Sequence, residues 1–198
     1  MYDELRVIVS AIESMKKILS IGLLLMLFIS PGHVLAQTLT ISPSPSSTPS
    51  PKSDYFLPYP GMLPGSPVYT LKAIRDRLIE LFISDPLKKG DFYLLQADKR
   101  LTAAVALFDK GEREIAETTL SKAEKYLEKS LNETDVVKRR GQNANDLIDR
   151  IGKSSEKHKE VIMGLQEKAE GELEQRIKES YKLAEKVSQR ASSMRASR

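Results

Sequence analysis

The stretch DPLKKGDFYLLQADKRLTAAVALFDKGEREIAETTL, Asp85–Leu120, decides the fold. Asp85 before Pro86 is a helix start: the short carboxylate can accept from the first free backbone N–H groups, and proline in the first turn forfeits no hydrogen bond. From there Leu87, Gly90, Leu94, Ala97, Leu101, Ala104 and Phe108 recur in steps of three and four, so they share one stripe of a helix. Gly111 ends the pattern and suits a left-handed C-cap. Glu112 and Glu114 then complement the N-terminal dipole of a second helix, whose stripe is Ala116, Leu120, Ala123, Leu127 and Leu131. The pair is similar to a tetratricopeptide hairpin, but no second copy follows at that period, which argues against an array.

Upstream, Pro64, Gly65, Ser66 and Pro67 divide a proline-rich run from an amphipathic one. Ser66 is expected as N-cap and Pro67 as first helical residue, opening a helix over Pro67–Ile83 with Leu71, Ile74, Leu78 and Leu81 at helical spacing. Tyr55, Phe56, Leu57, Tyr59 and Met62 lie in a Pro/Gly-rich run that cannot be helical, and are expected to cover one end of the domain as an irregular arm. Downstream, the phase carries through Val137, Gly141, Ala144, Ile148 and Ile151. Either one long helix reaches Gly152 or the chain breaks near Gly141, since Gly and Asn in RRGQNAND each cost several tenths to about 1 kcal/mol. Ser154 is expected to cap a further helix carrying Val161, Ile162, Leu165 and Ala169. A turn at Ala169–Glu172 precedes a last helix carrying Leu173, Ile177, Tyr181, Ala184 and Val187. The fold class is all-α, a bundle of four or five amphipathic helices with helical hairpins.

All 10 prolines lie at or before Pro86. Met15-Lys16-Lys17, the apolar run Ile18–Ile29 and the Val34-Leu35-Ala36 ending form a basic region, a short apolar core and a small-residue cleavage site. Residues 1–36 therefore read as a signal peptide cut between Ala36 and Gln37, with an uncleaved anchor as the other reading of the same stretch. Asp3, Glu4 and Glu13 have the wrong sign for such a leader, so residues 1–14 fit better as a mis-assigned start ahead of Met15. Residues 37–54, including TLTISPSPSSTPSP, are a Ser/Thr/Pro-rich linker that tends to extended conformations. The helical domain is expected over 55–191, with 192–198 as a frayed basic tail.

The Pro64-Gly65-Ser66-Pro67-x-Tyr69-x-x-Lys72 opening, the Asp85-Pro86 start and the LLQADKRLTAAVALFDKGEREIAETTL hairpin resemble an uncharacterised bacterial family of the domain-of-unknown-function class. The later SEKHKEVIMGLQEKA is similar to that family's C-terminal helical part. The resemblance covers roughly Leu57 to Ala191 and implies an exported helical protein, with no ligand, activity or catalytic residue to carry over. Gly90 and Gly171 depart from the family's pattern and leave the local helix boundaries open.

Composition narrows the chemistry. The chain has 198 residues, 29% of them charged, and a net charge of +4 dispersed among 27 acids, a mild excess that names no partner. The absence of Cys removes disulfides, a thiol nucleophile and a zinc ribbon, and the absence of Trp disfavours a base-stacking surface. His33 belongs to the leader. His158 has only Ser154, Ser155, Val161 and Ile162 at helical ligand spacing, so it reads as a seam or surface residue, and no metal, cofactor or catalytic set is expected. The basic run Lys138-Arg139-Arg140 is too short for a polybasic lipid signal, and export argues against nucleic acid. A membrane contact is expected only through an uncleaved anchor. The expectation is an exported, non-enzymatic helical module at the cell envelope that binds another protein or itself through helix faces. An extracytoplasmic ligand- or cation-binding sensory domain is the alternative.

Overall fold

The structure, a computed structural model, describes residues 54–66 and 68–197. Five α-helices are found among them: α1 Tyr69–Phe82, α2 Pro86–Asp109, α3 Arg113–Arg139, α4 Asn145–Gln166 and α5 Gly171–Ala196. The all-α bundle is the observed fold. The most extensive packing is α2 against α3, followed by α4 against α5, and α3 against α5 joins the two pairs.

The turns follow from local chemistry. Asp85 caps α2 as its side chain accepts from the Leu87 N–H at 2.9 Å, with Pro86 in the first turn. The α2–α3 turn is a Schellman motif: Gly111 has φ +83°, its N–H donates to the Phe108 carbonyl, and the Glu112 N–H donates to Leu107. The same motif ends α3, with Gly141 at φ +72° and N–H bonds from Gly141 to Lys138 and from Gln142 to Val137. Of the two alternatives for residues 112–152, the break near Gly141 is therefore the observed one. The apolar phase crosses it because Val137, Ala144, Ile148 and Ile151 are all buried on the two sides of the turn.

Three expectations are corrected. Ser154 does not start a helix; α4 opens at Asn145, whose N–H donates to the Asn143 side chain, and runs through Gly152 with Ser154 fully buried inside it. The chain beyond Ser192 is not frayed, because α5 continues to Ala196. Lys138 donates to the Met194 carbonyl at 2.6 Å near that helix end, and Arg195 pairs with Asp149. Ser66 is not the N-cap of α1, which starts at Tyr69 behind Val68 with no side chain closing it; the Ser66 carbonyl accepts the Tyr69 N–H instead.

Leu101, Leu107, Leu120, Leu127, Leu131, Leu147, Ile148, Ile151, Ile162 and Ile177 are essentially inaccessible and form the bundle core. Gly90 has a packing role: a Cβ there would lie 2.8 Å from Leu147 and 3.3 Å from Thr134, and its carbonyl accepts from Ser130 at 2.8 Å. Glycine thus lets α2 approach α3 and α4 closely.

Candidate functional site

Two features stand outside ordinary bundle packing. The first is a buried ionic cluster. Asp98 on α2, Glu124 on α3 and His158 on α4 each flank an apolar stripe, and the bundle closes over all three. His158 Nδ1 lies 2.7 Å from Glu124 Oε1, and Nε2 lies 3.1 Å from Asp98 Oδ1. Ser154 donates to Asp98 Oδ1 and Tyr55 donates to Asp98 Oδ2, both at 2.6 Å. Burial alone would lower the His158 pKa, but the charge of Glu124 and the bonds to both carboxylates prevail and push it up to about 9. The imidazolium donates from both ring nitrogens, so it has no lone pair for a base or a metal. Among the described residues no group of three or more His, Cys, Asp or Glu side chains is arranged to hold a metal ion. The cluster locks three helices together, and through Tyr55 it holds the arm before α1.

The second feature is α1 itself. The sequence places Leu71, Ile74, Leu78 and Leu81 on one stripe, and the natural expectation is that a bundle core covers them. They are instead 71%, 56%, 51% and 77% exposed, and Phe82 is 79% exposed. The helix turns its acids inward. Asp76 is buried with Arg75 on it, and Glu80 accepts from the Tyr93 hydroxyl at 2.8 Å and from Lys129 at 3.2 Å. Lys129 also lies over the Tyr93 and Tyr126 rings, and Arg100 lies 4.1 Å from the Tyr126 ring centroid. A polar and aromatic seam thus tethers α1, while its apolar stripe faces away from the bundle.

The arm is divided in the same way. Leu57 and Leu63 pack against the core and the Pro58 carbonyl accepts from Thr102, whereas Phe56 and Tyr59 point outward, 90% and 83% exposed.

Of the sequence-predicted positions, Asp85 and Pro86 act as expected. Tyr69 and Lys72 meet, the ammonium 5.5 Å from the ring centroid, and Pro64 and Gly65 form the turn before α1, Gly65 at φ +95°. Pro67, Ala36 and Gln37 lie outside the described residues. Sequence reasoning missed the Asp98–His158–Glu124 cluster because its members meet across helices, 34 and 60 residues apart. The available signal was a carboxylate directly beside a small stripe residue, in Ala97-Asp98 and again in Ala123-Glu124.

Neither a curated protein nor a solved structure matches the chain. A family profile does match, over residues 61–193, which spans α1 to most of α5. The chain therefore belongs to the family described as a domain of unknown function, DUF5667.

Proposed function

We propose that this chain is an exported, non-enzymatic interaction module at the cell envelope, which docks a helix of a partner protein on the outward stripe of α1. One observation carries the reading: the bundle completes its core without Leu71, Ile74, Leu78 and Leu81, and these four side chains are left in a row on the surface. Among the described residues, ten of the thirteen exposed large hydrophobic residues fall between Phe56 and Phe82, so the apolar exposure there is concentrated in the arm and α1. Side chains at such spacing are how one amphipathic helix offers itself to another. The leader-like pattern from Met15 to Ala36 supports export. His158, whose pKa burial lowers but its two carboxylate partners push up to about 9, is sealed from solvent, which supports a non-enzymatic role.

The test is site-specific photo-cross-linking in cells that make the protein, with the reactive group at Leu78 or, as control, at Lys110 in the α2–α3 turn. A discrete heterologous adduct from Leu78, absent from Lys110 and lost on Ile74→Asp, is the expected result. Equal adducts at both positions, or none at Leu78, would overturn the reading.

A further inference from the structure

The stripe of α1 has a register as well as a face. Leu71, Ile74, Leu78 and Leu81 are spaced three, four and three, the a and d positions of two heptads in a helix of 14 residues. In that register Arg75 is at e and Arg77 at g, one on each border of the stripe. Both are exposed, the Arg75 side chain 65% so; Arg75 also pairs with Asp76 at 2.8 Å, which leaves Arg77 as the main flank charge for a partner. The acids of the helix, Asp76 and Glu80, occupy f and c on the opposite side, where the bundle uses them. The borders of the outward face are thus cationic with no acid among them.

Resting on the docking role proposed above, we infer that the partner segment is an amphipathic helix with acidic residues at the positions flanking its own apolar seam. Charges at e and g select coiled-coil partners by favouring opposite signs and penalising like ones. A second copy of this chain fits poorly. Paired parallel, α1 sets Thr70 against Arg75 and Arg77 against Phe82. Paired antiparallel, it sets e against e and g against g. Neither arrangement makes an ion pair across the seam.

The experiment titrates the full chain with two synthetic heptad peptides, both with leucine at a and d, one with glutamate and one with lysine at e and g. Fluorescence anisotropy is expected to show the glutamate peptide binding about tenfold more tightly, as a few attractive and repulsive flank pairs would give. The preference is expected to weaken in Arg77→Gln, which removes a flank charge and leaves the Arg75–Asp76 pair intact, and an unchanged preference there would overturn the inference. Equal binding of both peptides, lost on Ile74→Asp, would leave the docking face standing and overturn the acidic partner. Binding of neither peptide would overturn the inference and remove support for the docking face itself. Dimerisation in sedimentation equilibrium, or flotation with phosphatidylglycerol vesicles, would assign the face to a second copy or to lipid if Ile74→Asp abolished it, and would equally overturn the inference.

Discussion

His158 has no contact with water, so its ring N–H groups are satisfied by Glu124 and Asp98 or not at all. The consequence is a pH dependence with a defined sign. The folded-state pKa of about 9 lies above the ordinary value of 6.5, so folding is favoured by a proton that the native state holds more tightly. That contribution, on the order of a few kcal/mol, is complete below about pH 6.5 and is lost as the pH rises through 9. Urea melts from pH 6 to 9.5 should show wild-type stability falling across this window. His158→Gln should be less stable by about 3–5 kcal/mol at pH 6, since it strands two buried carboxylates, and its deficit should shrink as the pH rises through 9 and the wild type loses the contribution of His158. Tyr55→Phe removes a donor from Asp98 and the anchor of the arm. It should cost about 1–2 kcal/mol, and limited proteolysis should speed up within residues 54–66 while α2–α5 stay protected. At this scale the sequence was least legible. A charged residue beside a stripe looks the same whether its helix faces water or another helix, and only the relative rotation of α2, α3 and α4 decides.

Helix by helix, far more could be read in advance. Asp85-Pro86, Gly111 and the three-four alternation specify α2, its turn and α3 through interactions a few residues apart, which is why those boundaries are legible. The unbroken run of α4 through Gly152 depends on tertiary packing, and Gly90 shows the same limit. As a helix interior residue it looks like a defect, yet Leu147 occupies the space its side chain would need. Gly90→Ala should therefore destabilise by about 1–3 kcal/mol through overpacking, despite alanine's better helix propensity. Gly164→Ala, with nothing within 4 Å of its added methyl, should stabilise by up to about 1 kcal/mol. Opposite shifts in thermal midpoint would verify the pair. The stripe of α1 is the reverse case: periodicity identifies the helix and its apolar face correctly but cannot say whether the chain supplies a cover for it. Ile74→Asp/Leu78→Asp should change stability by less than about 1 kcal/mol, whereas Leu127→Ala should cost about 2–5 kcal/mol. Chemical denaturation of the two variants side by side measures the contrast.

At the scale of the whole molecule, α2–α5 form the folding unit and the preceding segment is laid onto it. Every core cluster draws its buried members from Leu94 onward, and α1 contributes none. The segment before α2 is held by Tyr55 on Asp98, Pro58 on Thr102, Glu80 on Tyr93, and the half-buried Leu57 and Leu63. A chain starting at Ser84 should thus keep its helical circular dichroism and unfold in one cooperative urea transition. It should be weaker than the full protein by a few kcal/mol, the sum expected for two lost apolar contacts and a few hydrogen bonds. Its amides protected from hydrogen exchange should still include those of Leu101, Leu127 and Ile162. Loss of cooperativity would show that the arm and α1 belong to the core, and the outward stripe would then be a cost of folding with no free face for a partner. A cooperative fragment would show that 14 helical residues carrying an apolar seam are held in place without being needed for the fold, as a docking element requires.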